Sequence, residues 1–231
     1  MSGAIRLDDG DAAHTVLASR KMATIVRLGM VAYSIGMTRF LIDGPRDAAK
    51  TYVFAHGAGG PMASPFMKTV ARGIAAAGIR VVRFEFPYMA ARRKRPDPQN
   101  ILLDAFRDVI SELGDPANLV IGGKSMGGRM ATMIADELRV AGLLVYGYPF
   151  HPPGRPDRLR TEHLQSLETK TLIVQGTRDT FGSREEVMGY SLSERITIAW
   201  IEGGDHSLGK KLDDPIALGV SFITSLKRVG Q

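Results

Sequence analysis

The chain is predicted to be an α/β protein, a mostly parallel sheet with helices on both faces, and three observations carry the prediction. From about residue 38, short β-branched runs alternate with longer segments of helical periodicity. The 231 residues are 44% hydrophobic, enough for one substantial core and a single domain. No internal repeat or low-complexity segment interrupts the alternation.

The elements follow in order. "TYVFAH" (51–56) reads as the first strand, and a helix starts at Ser64-Pro65, an N-cap followed by a first-turn proline, and stops at Gly78. "IRVVRFEF" (79–86) is the next strand. Ile101, Leu102, Ala105, Phe106, Val109, Ile110 and Leu113 then recur at helical spacing. "NLVIGG" (118–123) and "GLLVYGY" (142–148) are strands flanking a helix marked by Met130, Ala131, Ile134 and Leu138. "TLIVQG" (171–176) and "ITIAWI" (196–201) complete the strands, and a last helix runs from about Pro215 to Lys227. Residues 1–36 read as an N-terminal extension with helical-looking stretches but no strand-turn-helix unit, which leaves 37–231 as the domain. The apolar run Met22 to Met37 is interrupted by Arg27 and preceded by Asp8, Asp9 and Asp11, so neither a signal peptide nor a spanning helix is expected and the cytoplasm is the default.

Composition excludes several classes. With no cysteine there is neither a disulfide framework nor a thiolate metal site, and the five histidines show no ligand spacing, so no metal and no cofactor is expected. The net charge of +6 is concentrated chiefly in Arg92, Arg93, Lys94 and Arg95 and is accompanied by no nucleic-acid-binding motif. The expected partner is a small-molecule substrate, with no nucleic acid and no membrane, and nothing in the sequence names an oligomeric state.

The stretch "LVIGGKSMGGRM" (119–130) admits two readings. A phosphate-binding loop G-x-x-x-x-G-K-[ST] needs glycine at 118, where Asn118 stands, and the apolar run Leu119 to Ile121 leaves no room for a cradle. The alternative is a sharp strand-to-helix turn, Gly123-Lys124-Ser125-Met126-Gly127, whose glycines permit close approach while Ser125 projects its hydroxyl. In open parallel sheets functional residues collect beyond the carboxyl ends of strands. There the chain places His56-Gly57-Ala58-Gly59-Gly60, Ser125, Thr177-Arg178-Asp179 and Glu202-Gly203-Gly204-Asp205-His206. The order serine, aspartate, histidine resembles that of the α/β-hydrolases from about residue 38 to the end. "AHGAGG", "GGKSMGG", "QGTRDTFG" and "GGDHSL" are similar to small hydrolases near the dienelactone-hydrolase branch, with serine at 125 where that branch carries cysteine.

The resemblance implies a serine nucleophile at Ser125, a base at His206 and an acid at Asp179, with the backbone amides of Met126 and Ala58 as the oxyanion hole. Asp205, adjacent to His206, is the rival acid, and Asp179 is equally placed to cap a helix before "REEVMGY". Asp179 is preferred because the acid must approach the ring from a neighbouring strand end. His56 reads as a loop-organising histidine. Between Pro149 and Lys170 only 22 residues stand where many relatives insert a cap, with room for one short helix around Glu162 to Leu167. A site covered by loops suits small or extended polar acyl substrates.

The expected activity is therefore hydrolysis of small carboxylic esters or thioesters through an acyl-enzyme. The alternatives are a noncatalytic interaction module on the same fold, or an amide or peptide hydrolase with the same triad. Lys124, Arg129 and the loop bearing Arg93 suggest a preference for anionic substrates, with Tyr148 and His151 as further substrate-binding residues. Arg83 and Glu85 share a strand face, either pairing with each other or supporting the site from below.

Overall fold

The structure, a computed structural model, describes residues 25–27, 30–35 and 38–227. Its strands are β1 (Ile25–Arg27), β2 (Met30–Ile35), β3 (Thr38–Asp43), β4 (Thr51–Ala55), β5 (Arg80–Phe84), β6 (Leu119–Lys124), β7 (Gly142–Tyr146), β8 (Thr171–Gly176) and β9 (Ile196–Ile201). They form one sheet in the order β1, β2, β3, β5, β4, β6, β7, β8, β9. The strands from β5 to β9 are parallel, and β1, β2 and β3 pair antiparallel at one edge.

All six strands expected from the sequence are present. The antiparallel edge is a correction. Residues 25–27 and 30–35, within the expected extension with its helical-looking stretches, form β1 and β2, with β2 paired to β3 from Val31↔Ile42 to Ile35↔Thr38. Strand formation depends on the neighbour across the ladder as well as on the local residues, and although β2 and β3 are close in sequence, the strand that joins them to the sheet is the distant β5. Positions 1–24 of the expected extension lie outside the described residues.

The helices are α1 (Pro65–Ala76), α2 (Pro87–Ala90), α3 (Gln99–Leu113), α4 (Met126–Thr132), α5 (Ala135–Leu138), α6 (Arg184–Val187) and α7 (Asp213–Ser225). The strands sort their side chains between two cores with period 2, as a sheet covered on both faces requires. Val53 and Ala55 of β4, Leu119 and Ile121 of β6, and Leu143 and Val145 of β7 join Phe106 and Ile110 of α3 and Met130 of α4. Tyr52 and Phe54, Val120, and Leu144 and Tyr146 point the other way, into Val70 and Ile74 of α1 and Ile223 of α7. The helix read as continuous behind Ser125 divides into α4 and α5, because Ile134 leaves helical geometry at φ −123°.

Arg83 does not pair with Glu85. Its buried guanidinium donates to Asp43 Oδ2 on β3 at 2.6 Å and to the Met62 carbonyl at 2.7 Å. The partner comes from a strand that the sequence reading did not place. Between β7 and β8, Pro149–Lys170 holds one 3-10 turn, Glu162–Leu164, and no inserted domain. Among the described residues no helix is long and apolar enough to cross a membrane.

Candidate active site

The parallel register brings Ala55 of β4 beside Gly123 of β6, Lys124 beside Tyr146 of β7, and Gly176 of β8 beside Ile201 of β9. The loops that follow these residues therefore open on the same edge of the sheet. At the end of β6 the chain reverses into α4 through Ser125, whose φ of 51° and ψ of −115° lie where a residue with a side chain is strained, at a cost on the order of 1–3 kcal/mol. The surrounding structure holds that geometry. The Ser125 amide donates to the Tyr146 carbonyl at 3.0 Å. A methyl group on Gly127 would lie 2.6 Å from the carbonyl oxygens of Ala55 and His56, and one on Gly128 would collide with Val145. These glycines let α4 press onto β4 and β7, and the turn is an elbow for a side chain rather than a phosphate cradle.

Beyond the elbow, His206 Nε2 stands 2.9 Å from Ser125 Oγ and its Nδ1 stands 2.8 Å from Asp179 Oδ2. An ionised carboxylate can only accept, so Nδ1 carries the ring proton and Nε2 turns a lone pair toward the hydroxyl. Asp179 is fully buried and held on both oxygens, Oδ1 accepting from the Phe181 amide at 2.8 Å and Oδ2 from Gln175 Nε2 at 2.9 Å. Gln175 is in turn fixed by the Tyr148 amide, which donates to its Oε1 at 2.7 Å. Phe181 stacks on the imidazole at 4.0 Å between centroids and 27° between planes. Gln175 and Phe181 were not read from the sequence, although a glutamine ending the otherwise apolar "TLIVQG" is a usable signal. Asp205 faces away, accepting the Ser207 amide at 2.8 Å, and α6 is capped by Ser183 rather than by Asp179.

The loop after β4 completes the edge. His56 is buried, its Nδ1 donating to the Gly57 carbonyl at 2.7 Å and its Nε2 accepting the Phe86 amide at 3.1 Å, with burial pushing its pKa down. It is a neutral brace for the loop. Tyr88 donates to the Ala58 carbonyl at 2.9 Å. No acceptor among the described residues takes the amide of Ala58 or of Met126. Both residues line a cleft of about 690 Å³ shared with Ser125 and His206, a volume in the range of small-ligand sites.

The substrate-binding expectations need correction. Lys124 borders the cleft, but its amine is withdrawn from solvent, 5.7 Å from the Phe66 ring centre and without a hydrogen-bond partner. Arg93 is exposed, is bound to Asp97 at 2.6 Å and is not among the residues lining the cleft, although Pro96 of the same loop is. Tyr148 is buried and donates to the Arg160 carbonyl at 2.8 Å, behind the cleft wall. His151 is buried 3.5 Å from Glu186 and borders a separate cavity. Arg160, which no local pattern marked, lines the cleft instead, together with Arg129. No cluster of three potential metal ligands occurs among the described residues.

Comparison with known proteins agrees with this architecture. Residues 48–218 match a family described as an alpha/beta hydrolase domain. An alpha-beta serine hydrolase homologue from Coxiella burnetii superposes with a TM-score of 0.69 at 19% identity, covering 87% of this chain and 100% of that one. A lid-less α/β serine hydrolase from Xanthomonas campestris gives 0.63 at 20% identity, with 86% and 91% covered. The esterase domain of a Rhodothermus marinus protein gives 0.61 at 18% identity, with 88% and 97% covered. With the family match spanning most of the chain, and the strand order and elbow built as described, this chain belongs to the α/β-hydrolase family.

Proposed function

We propose that the protein is a serine-dependent hydrolase of small carboxylic esters or thioesters that works through an acyl-enzyme. The observation that carries this reading is the continuous hydrogen-bonded line from Ser125 Oγ through both nitrogens of His206 to Asp179. As Oγ attacks the acyl carbon, its proton passes to Nε2, and the imidazolium is stabilised by the buried carboxylate on Nδ1. The carbonyl oxygen gains a negative charge, which the free amides of Met126 and Ala58 are suited to receive. Collapse breaks the bond to the alcohol or thiol, which leaves with the proton from Nε2. Water then repeats the sequence on the acyl-enzyme, giving up a proton to Nε2 and releasing the acid and Ser125. A noncatalytic module would have no use for a strained serine and a histidine braced on three sides.

The test is labelling with a fluorophosphonate together with turnover of p-nitrophenyl esters of increasing chain length. Wild type should label and should favour short chains, since Pro149–Lys170 builds no apolar tunnel. Ser125→Ala should lose the label, and Asp179→Asn should lower turnover by about 10³-fold or more, whereas Asp205→Asn should change it little. Wild-type turnover in Ser125→Ala would overturn the proposal, and a larger loss in Asp205→Asn than in Asp179→Asn would move the acid.

A further inference from the structure

One stretch of the cleft wall is built from Arg129 on α4 and Arg160 in the connection from β7 to β8. Structure already uses the Arg160 backbone. Its amide donates to the Phe150 carbonyl at 2.8 Å and its carbonyl accepts from the Tyr148 hydroxyl, while its guanidinium has no hydrogen bond or ion pair among the described residues. Arg129 donates from Nη2 to Gln99 at 2.9 Å, a neutral partner, and its Nε is buried without an acceptor. The two charges act on each other, for burial and then the nearby Arg129 lower the Arg160 pKa. His163 adds no charge, because burial and then Arg129 push its pKa down to about 4. No aspartate or glutamate lines the cleft.

Two like charges act on each other at the wall of a reaction cleft that no acid lines, with neutral groups as their partners in the free protein. An oxyanion accepting from both guanidinium groups offsets the repulsion in one step. We infer that Arg129 and Arg160 form a subsite for a carboxylate or phosphate carried by the substrate, so that the preferred esters or thioesters are acidic. The inference rests on the hydrolase reading and adds a substrate class to it. Of the residues from which the anion preference was expected, Lys124, Arg129 and Arg93, the subsite keeps Arg129 and adds Arg160, both of which line the cleft.

The experiment compares kcat/KM within matched pairs. The p-nitrophenyl monoester of adipic acid against p-nitrophenyl hexanoate places the acid on the acyl side, and meta-acetoxybenzoate against phenyl acetate places it on the leaving group. Meta-acetoxyphenyl phosphate extends the second pair to a phosphate. At least one acidic ester should exceed its neutral match by about tenfold or more in low-salt buffer, and the ratio should shrink as salt is added. Arg160→Met should reduce that ratio about tenfold, Arg129→Met should also reduce it, and Arg160→Lys should restore part of it. Each ratio is taken within one variant, so a lower yield of folded protein cancels. If wild type labels with fluorophosphonate and turns over neutral esters but shows no preference for any acidic ester, the subsite is refuted while the hydrolase reading stands. A preference that survives Arg160→Met unchanged refutes it equally. Failure of wild type to label and to hydrolyse every ester refutes the hydrolase reading itself.

Discussion

Replacing Lys124 with methionine should make this protein more stable at neutral pH. The amine sits among the Phe66 ring, Gly147 and the base of His206, with no hydrogen-bond partner and almost no water. Burial lowers its pKa from 10.5 to about 8, outweighing the attraction of Asp179 and Asp205 that pulls the other way. At roughly 1.4 kcal/mol per pH unit, that drop corresponds to about 3 kcal/mol against the folded state when both states are protonated. The sign follows from proton counts. Between pH 8 and 10.5 the unfolded chain holds the proton and the native protein does not, so stability attributable to this group rises with pH across that window. Below pH 8 the cost is fully present, and above 10.5 it is gone. Lys124→Met keeps an unbranched side chain, one heavy atom shorter, and removes the charge. Denaturant melts of both proteins at pH 7 should therefore differ by up to about 3 kcal/mol in favour of the variant, and the difference should fade as the pH approaches 10.5. Equal or lower stability of Lys124→Met at pH 7 would refute the reasoning, because it would mean that the ammonium is compensated in solution.

Two further outcomes are expected. Gly127→Ala forces a methyl group against the Ala55 and His56 carbonyl oxygens, so the elbow must shift; a loss of about 1–3 kcal/mol in a thermal melt and slower fluorophosphonate labelling should accompany it. Removing residues 1–36 leaves Ser125, Asp179 and His206 untouched but takes away β1 and β2, turning β3 into a bare sheet edge. Turnover should persist while sedimentation shows self-association, and an inactive monomer would indicate that the segment supports the site.

The parallel part of the sheet was legible because it is local chemistry repeated. β-branched runs bounded by glycine announce strands, and the spacing of Leu102, Phe106, Val109 and Ile110 announces a helix with one buried face. The candidate triad was legible for a different reason, since parallel strands deliver whatever follows them to one edge, and Ser125, Asp179 and His206 each follow a strand. That His206 hydrogen-bonds Asp179 and not its neighbour Asp205 accords with the rule that an acid reaches the ring from a neighbouring strand. Other features depend on neighbours far along the chain. β3 joins the sheet because β5 lies beside it, and Arg83 finds Asp43 rather than Glu85 because β3 pairs with β5. The brace of Gln175 on Asp179 and the stacking of Phe181 on His206 arise from a loop that folds back on its own strand. Charge was the least legible of all. Sequence counts Lys124, Arg93, Arg129 and Arg160 alike, but burial removes the first from reach of a ligand and Asp97 occupies the second. Tertiary packing places the last two among the residues lining the cleft, because what a charge can bind is decided by which partners and how much water the fold leaves it.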